Sequence, residues 1–253
     1  MFCLLRAPWR NNIVKRKRVW ITGASGDIGY AIAEEAAKTG SDLVLHCFRN
    51  EQPLRRLSSN YPELDIRIVQ CDFTDSLRTL ECFHSMPCPD VFVHCAGYSD
   101  PKLFQEEEHD SIRAQMQSDL ITPMLLIRSF IPDMISRRAG NILFITSIWG
   151  QTGASMEVLY STVKSGQHGL VRSLADELGP SGIRVNGIAP GIIHTRMVSN
   201  YSKQDIDAIK REIPAGRLGH PEDIAHTTMF LTGEGADYIN GQIIGVNGGW
   251  HRG

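Results

Sequence analysis

The 253-residue sequence predicts an α/β fold in which one parallel sheet has helices on both faces. Short apolar runs alternate along the chain with amphipathic stretches, as in repeated strand and helix units. Most of these runs are continuously hydrophobic, which is typical of strands buried on both sides. The length suits one domain with a large core, and no composition shift marks an internal boundary.

Seven strands and six helical regions follow in chain order. The predicted strands are RVWIT, DLVLHC, IRIVQ, VFVHC, NILFIT, RVNGIAP and QIIGVNGG. Helices are expected at 28–38, 51–59, 76–84, in a long region ending at Arg138, at 160–178 and at 221–231. Right-handed crossovers favour the doubly wound strand order of a single-domain Rossmann fold. The irregular stretch 194–216 follows the sixth strand, so we expect it to form a substrate lid at the carboxyl edge of the sheet.

Residues 1–17 precede the first strand and contain most of a KRKR run. The apolar run MFCLL is too short for a secretory signal, and no segment is long enough to span a membrane. We expect this stretch to be either a disordered extension or an over-called translation start, with Val14 as the alternative first codon. The single domain is then expected to cover 18–253.

The net charge and the cysteines indicate which classes of partner and which cellular compartment to expect. The formal net charge of -2 provides no basic field, so we expect a small-molecule partner and neither nucleic acid nor membrane. The six cysteines form no C-x-x-C pair, which indicates free thiols in a reducing cytoplasm. His46-Cys47 and His94-Cys95 end strands that another strand separates by roughly 10 Å, too far to share one ion. No metal site is therefore predicted.

A glycine-rich segment joins the first strand to the first helix, where a dinucleotide pyrophosphate meets helix N–H groups. Its candidate cofactor-binding residues are Gly23, Ser25, Gly26, Asp27, Ile28 and Gly29. The Asp27 carboxylate would repel phosphates unless its side chain turns outward or caps the helix. The segment predicts a dinucleotide site with one unusual charge.

Tyr160 and Lys164 are four residues apart in a predicted helix and therefore lie on one face. A nearby ammonium is expected to lower the pKa of a tyrosine from its usual value of about 10. Such a tyrosine suits carbonyl reduction, in which a cofactor supplies hydride and a protein acid protonates the oxygen. Ser147 at the end of the fifth strand would hydrogen-bond the same oxygen.

These motifs resemble the short-chain dehydrogenase/reductase family. The glycine segment is similar to the family's T-G-x-x-x-G-x-G, Ser147 precedes a Y-x-x-x-K pair at the family spacing, and 190–195 matches its P-G-x-x-x-T element. The resemblance covers Arg18 to Trp250, and the tail PAGRLGHPEDIA with YINGQIIGVNGGW is typical of bacterial 3-oxoacyl-acyl-carrier-protein reductases. It implies an NAD(P)-dependent oxidoreductase acting on CH–OH or C=O groups.

The resemblance also implies further site residues. Additional cofactor contacts, with Tyr160 and Lys164 among them, are expected at Asp72, Phe73, Cys95, Ala96, Gly97, Pro190, Gly191, Ile193 and Thr195. Asp119 stands where the family's catalytic asparagine would be, and its main-chain carbonyl would hold a water leading from Lys164. A buried Asp119 side chain would have to be protonated or paired, with Lys164 as the candidate partner.

Cofactor preference is expected to depend on the end of the second strand. Cys47 stands there and no carboxylate follows until Glu51, so a 2′-phosphate would be tolerated and could pair with Arg49. We therefore predict NADP(H) over NAD(H). Arg49 as an exposed loop charge is an equally good interpretation.

The leading substrate is a 3-oxoacyl thioester, and Trp149, Met156 and Met197 are expected to line an apolar pocket for it. Arg138 matches one carrier-docking position of those reductases, whereas Ser181 occupies the second. Arg137 and Arg138 could equally be residues that end a helix. Family resemblance implies a homotetramer formed through the long helices on either side of the fifth strand. A reductase of another small ketone or alcohol, or a weakly catalytic NADP-binding sensor subunit, remains an alternative.

Overall fold

A computed structural model describes residues 16–198 and 201–252, except for the side chain of Met197. The predicted extension therefore lies largely outside the described residues. Within them, seven parallel strands form one sheet in the order β3-β2-β1-β4-β5-β6-β7. The strands are β1 Arg18–Thr22, β2 Asp42–Cys47, β3 Ile66–Gln70, β4 Val91–His94, β5 Gly140–Ile145, β6 Ile183–Pro190 and β7 Ile243–Val246.

Helices cover both faces of this sheet. They are α1 Asp27–Lys38, α2 Gln52–Asn60, α3 Ser76–His84, α4 His109–Met116, α5 Thr122–Arg137, α6 Trp149–Thr152, α7 Val158–Leu178, α8 Lys203–Glu212 and α9 Pro221–Thr232. Side chains of α1, α2 and α9 build the core on one face. Those of α3, α5 and α7 build it on the other, where Phe92 and Phe144 are completely buried. The predicted doubly wound Rossmann fold is confirmed.

The long helix before β5 is interrupted, which the sequence analysis did not anticipate. Gln117–Ile121 form a π-helical segment between α4 and α5. Pro123 lies two residues after this segment and has no N–H to donate to the carbonyl of Asp119 four residues earlier. That carbonyl accepts a hydrogen bond of 2.7 Å from Gln167 Nε2 on α7 instead. The irregular turn thus ties the helix before β5 to the helix after it.

The region predicted as a lid contains a 3-10 turn, Arg196–Val198, and helix α8. Ser202 begins α8 with a capping box, in which Ser202 and Asp205 satisfy each other's backbone N–H groups. In the described part of the chain, no helix combines the length and hydropathy needed to cross a membrane.

Candidate active site

The carboxyl ends of the central strands meet at one edge of the sheet, where two adjoining cavities form a cleft. One cavity, of about 590 Å³, is lined by the turn after β1, and we call it the glycine-rich cavity. The other, of about 600 Å³, contains Tyr160 and Ser147, and we call it the tyrosine cavity. Both are lined by Ile28, Cys95, Gly97 and Thr195, so a ligand can extend from one into the other.

The backbone of the glycine-rich turn packs too closely for side chains. Gly23 has a φ of +64°, and a Cβ there would lie 2.7 Å from the Ala96 Cα. A Cβ on Gly29 would overlap the Gly23 carbonyl oxygen. Gly26 caps α1 without a side chain, which leaves the first N–H groups of the helix available to an anion. This cradle fits the pyrophosphate of a dinucleotide.

Twelve of the predicted cofactor residues line this one cavity. They are Gly23, Ser25, Gly26, Asp27, Ile28, Gly29, Asp72, Phe73, Cys95, Ala96, Gly97 and Thr195. The tyrosine cavity holds Pro190, Gly191, Ile193, Tyr160 and Lys164. Arg49 is outside both linings, exposed, with its guanidinium carbon 4.5 Å from the centre of the Phe48 ring. Phe48 itself lines the glycine-rich cavity.

Asp27 turns away from the helix end and pairs with an arginine of the predicted lid. Its carboxylate accepts hydrogen bonds from the Arg196 backbone N–H at 2.7 Å and from Nε at 3.0 Å. Arg196 Nη2 also donates to the Ser25 carbonyl at 2.9 Å. The helix-capping alternative is not found, because no side chain caps α1. Sequence reasoning missed Arg196. The signal that could have found it is a positive charge directly after Thr195, which could pair with the negative charge of Asp27.

Two histidines at strand ends hold the wall of the cleft together. His46 Nδ1 accepts from the Gly23 N–H at 3.2 Å, and its Nε2 donates to the Cys71 carbonyl at 3.1 Å. Burial lowers the pKa of His46 to about 4, so the ring is neutral. His94 Nδ1 hydrogen-bonds Thr22 Oγ1 at 2.8 Å and so ties the end of β4 to the end of β1. Among residues 16–198 and 201–252, no three His, Cys, Asp or Glu side chains form a possible metal site.

Tyr160, Lys164 and Ser147 come together in the tyrosine cavity as the spacing predicted. Lys164 Nζ lies 5.4 Å from the centre of the Tyr160 ring and donates to the Ile145 carbonyl at 3.1 Å. Ser147 lies close enough to the Tyr160 side chain to lower the pKa of Tyr160. Trp149 also lines this cavity, as expected, and packs edge-on against Trp250 with ring centres 5.5 Å apart.

The pKa of Tyr160 is raised, so the expectation that the neighbouring Lys164 brings it below its usual value is wrong. Burial raises the pKa of Tyr160 above its ordinary value, the nearby Ser147 hydroxyl opposes this, and the charge of an ionised Asp119 raises it further. Burial also lowers the pKa of Lys164, whose ammonium is engaged by the Ile145 carbonyl. Tyr160 is therefore held protonated, which is the form that donates a proton.

Asp119 is buried beside this group, with 1% of its surface exposed. Its Oδ1 accepts from Ser118 Oγ at 2.6 Å, whereas Oδ2 has no hydrogen-bond partner among the described residues. A Cβ on Gly97 would lie 3.0 Å from that Oδ2 and 3.4 Å from Lys164 Nζ, so both groups adjoin Gly97. Burial raises the pKa of Asp119, and Lys164 opposes the shift. The two do not form a direct ion pair in the described chain, which favours the protonated alternative.

Two other expectations are revised, and a third concerns a side chain outside the described residues. Met156 does not line the tyrosine cavity: it adopts a φ of 64° and its side chain is 46% exposed. Met197 lies in the turn Arg196–Val198, but its side chain is outside the described part. Arg137 is held by Asp90 Oδ1 at 2.9 Å, and Arg138 ends α5 in a left-handed conformation. Both arginines sit before the amino end of β5, whereas Ser147 follows its carboxyl end.

Comparison with known proteins gives matches over nearly the whole chain. The family model described as enoyl-(acyl carrier protein) reductase matches residues 23–251. The Bacillus subtilis protein called uncharacterized oxidoreductase YmfI is 40% identical over 239 residues, which cover 93% of this chain and 99% of that protein. The 3-oxoacyl-[acyl-carrier-protein] reductase FabG of Rickettsia bellii is 34% identical over 229 residues, covering 90% and 94%. A crystal structure of a 3-oxoacyl-[acyl-carrier protein] reductase from Brucella melitensis has a TM-score of 0.87 at 28% identity, covering 93% and 92%.

Proposed function

The chain belongs to the short-chain dehydrogenase/reductase family of NAD(P)-dependent oxidoreductases, and on that premise we propose that it reduces a carbonyl to an alcohol with NADPH. A 3-oxoacyl thioester is the substrate we favour, because relatives at 32% to 35% identity carry the name 3-oxoacyl-[acyl-carrier-protein] reductase. The observation that carries the proposal is a partly exposed Tyr160, kept protonated by its raised pKa, that lines a cavity continuous with a phosphate-binding cradle.

Each residue of the group has a distinct task. NADP(H), when bound, supplies the hydride. The Tyr160 hydroxyl donates its proton to the developing alkoxide, and the Ser147 hydroxyl binds the same oxygen. Lys164 brings a positive charge near the phenolate that remains. Gln167 fixes the carbonyl of Asp119, where the proposed relay holds a water on the way from Lys164.

The preference for NADPH is supported by the absence of a free carboxylate after β2. Cys47 is buried, and Glu51 is paired with Arg55 at 2.7 Å. Arg49 is exposed within the same loop and can reach a 2′-phosphate by a change of side-chain rotamer. A bound NAD is named for one Brucella melitensis 3-oxoacyl-[acyl-carrier protein] reductase structure of 27% identity. We therefore make NADH the comparison cofactor in every assay.

A homotetramer and a carrier-protein partner are further proposals. Exposed apolar side chains on the helices around β5 support subunit contacts, namely Ile121, Met124, Ile135 and Val158. The carrier-protein proposal is supported by the names of the relatives and not by Arg137 and Arg138, which lie at the end of β5 opposite to Ser147. A cytoplasmic location stays a prediction. Light scattering of the purified protein tests the oligomer, and a dominant monomer would contradict it.

The proposed activity is tested by NADPH oxidation with purified protein, acetoacetyl thioesters and a panel of simple ketones. We expect turnover of acetoacetyl thioesters with NADPH and slower turnover with NADH. Turnover of other ketones alone would favour the alternative of a different small-ketone reductase. Tight NADPH binding without any turnover would favour the sensor subunit and overturn the proposal.

A further inference from the structure

The tyrosine cavity contains a carboxylate that the proposed reaction does not use. Glu157 precedes Tyr160 by three residues, at the N-cap of α7, and lines the same cavity as Tyr160 and Ser147. The charge of Glu157 is close enough to raise the pKa of Tyr160. Glu157 therefore lies where a substrate held by Tyr160 would meet it.

The backbone before Glu157 adopts a conformation that side-chain-bearing residues rarely use. Met156 has a φ of 64°, in the left-handed region. Its carbonyl accepts a hydrogen bond of 2.9 Å from the Lys102 N–H, which fixes this turn to the loop after β4. From that loop, Ser99 Oγ lies 2.6 Å and 2.7 Å from the two carboxylate oxygens of Glu157. Two segments thus hold the carboxylate at the cavity wall.

Glu157 has no cationic partner in the part of the chain that the structure describes. Lys102 binds Asp100 at 2.7 Å and Glu107 at 3.7 Å instead. Burial raises the pKa of Glu157, and the Ser99 hydroxyl opposes the shift. An ionised carboxylate accepts about four hydrogen bonds, so a single hydroxyl leaves most of that capacity unused. The carboxylate of Glu157 can therefore accept further hydrogen bonds from a ligand in the cavity.

Apart from Lys164, the other charged side chains in the described lining of this cavity are also carboxylates. Asp100 and Asp205 line it as well, and Asp100 is the one that Lys102 neutralises. Lys164 is the sole cation in the described lining, and it is buried and engaged by the Ile145 carbonyl. The cavity therefore disfavours an anionic group on the substrate and favours a cation or a neutral hydrogen-bond donor.

We propose that Glu157 is a specificity-determining residue that binds a hydrogen-bond donor on the substrate close to the reacting carbon. A protonated amine is preferred, a neutral hydroxyl or amide N–H follows, and a carboxylate is rejected. The inference rests on the proposed carbonyl chemistry of Tyr160 but does not require a thioester. An acyl thioester that carries an amide N–H is one of the substrates with a neutral hydrogen-bond donor.

A purely structural role for Glu157 makes a different prediction. If the carboxylate only ties the loop after β4 to α7, then removing Ser99 should have the same effect as removing the charge of Glu157. If Glu157 binds substrate, Ser99→Ala should keep the order of substrate preference, whereas Glu157→Gln should lose it. Glu157→Asp retains the charge and should restore part of the order.

The test uses three alcohols of similar size in the oxidation direction: 1-amino-2-propanol, propane-1,2-diol and lactate. With NADP⁺ at about pH 8, where the amine is still largely protonated, we expect kcat/KM to fall about tenfold from amine to diol and again to lactate. In Glu157→Gln the three values should converge to within about threefold, while Ser99→Ala keeps the wild-type order.

Each result decides the inference. The inference would be overturned if Glu157→Gln kept the order of kcat/KM among the three alcohols, or if Ser99→Ala lost that order to the same extent as Glu157→Gln. If wild-type protein turns over none of the three alcohols and no ketone, the proposed function fails instead. Saturation-transfer NMR on the NADP(H) complex then tests the role of Glu157 without turnover. Binding of 1-amino-2-propanol to wild type but not to Glu157→Gln supports the inference, and equal signals from both proteins overturn it.

Discussion

Asp27 and Asp119 face the same cleft, yet their surroundings differ completely. At the rim, which we define as Asp27, Arg49 and Arg196, the Asp27 side chain is 31% exposed and pairs with Arg196. At the floor, defined as Asp119, Tyr160 and Lys164, Asp119 is buried with one oxygen lacking any hydrogen bond in the described chain. Asp27 stands at the second glycine position of the T-G-x-x-x-G-x-G pattern and Asp119 at the family's asparagine position, and burial raises the pKa of the floor carboxylate.

The difference follows from solvation. An exposed carboxylate keeps water and gains an arginine, so its charge costs little and the pair contributes roughly 0–1 kcal/mol. A buried carboxylate loses water and is favoured in its neutral form unless a partner replaces the lost hydrogen bonds. Substitutions at the floor should therefore change chemistry and stability, whereas those at the rim should change cofactor affinity modestly.

Tyr160→Phe should have the largest effect. It removes the hydroxyl that donates the proton and leaves the ring, so folding should be retained while kcat falls by about 10²- to 10⁴-fold, the usual contribution of a positioned acid. NADPH oxidation and circular dichroism of the variant check both statements. Activity within tenfold of wild type would exclude Tyr160 as the acid.

At a pH high enough to ionise Asp119, Asp119→Asn should raise the reduction rate by about tenfold, which corresponds to about 1.4 kcal/mol of the barrier. Ionised Asp119 opposes the positive charge of Lys164 near Tyr160 and raises the pKa of Tyr160. Because reduction requires protonated Tyr160, removing that charge should also move the alkaline decline of kcat/KM to lower pH. A pH–rate profile of both proteins checks this, and superimposable profiles would show that the charge is immaterial.

Arg49→Ala should increase KM for NADPH by about fivefold, the scale of one exposed charge pair, and leave KM for NADH unchanged. The physical reason is the loss of a guanidinium that can pair with a 2′-phosphate. Steady-state kinetics with both cofactors measure the difference. Equal changes for NADPH and NADH would identify Arg49 as an ordinary loop charge.

Asp27→Asn should have the smallest effect, a fall of about twofold in KM for NADPH at low salt that fades as salt increases. The substitution removes a negative charge near the phosphate cradle and weakens the contact to Arg196. Because it is the same chemical change as Asp119→Asn, it is the matched control for the floor. An effect on kcat as large as that of Asp119→Asn would contradict the distinction between rim and floor.

The fold was predictable because its signals are local. All seven strands were located within two residues at their starts, since buried parallel strands give continuous apolar runs. The π-helical segment Gln117–Ile121 escaped prediction because it depends on a missing N–H at Pro123 together with a side chain, Gln167, that lies far along the chain. Tertiary contacts of this kind leave no periodic trace in the sequence.

The site was predictable where a motif fixes both residue type and spacing, as for Tyr160 and Lys164. The partners of charged groups were not, because Arg196, Ser99 and Glu157 reach the cleft from segments that the fold brings together. The direction of the Tyr160 pKa was also missed. The spacing predicted that Lys164 lies next to Tyr160. The pKa of Tyr160 is nevertheless raised, because the effect of burial is larger than the effect of that neighbour.

The central claim is that burial at the floor makes the ionised form of Asp119 costly, and thermal unfolding against pH measures this directly. Below the ordinary aspartate pKa of about 3.9 both folded and unfolded Asp119 are protonated, so Asp119→Asn and wild type should unfold at similar temperatures. As pH rises, Asp119 ionises at a lower pH in the unfolded chain than in the folded chain, so wild type should lose stability relative to the variant. We predict that Asp119→Asn unfolds at least about 3 °C higher at pH 8, roughly 1 kcal/mol for a chain of this size. A difference that shrinks with rising pH, or a less stable variant at pH 8, would contradict the account.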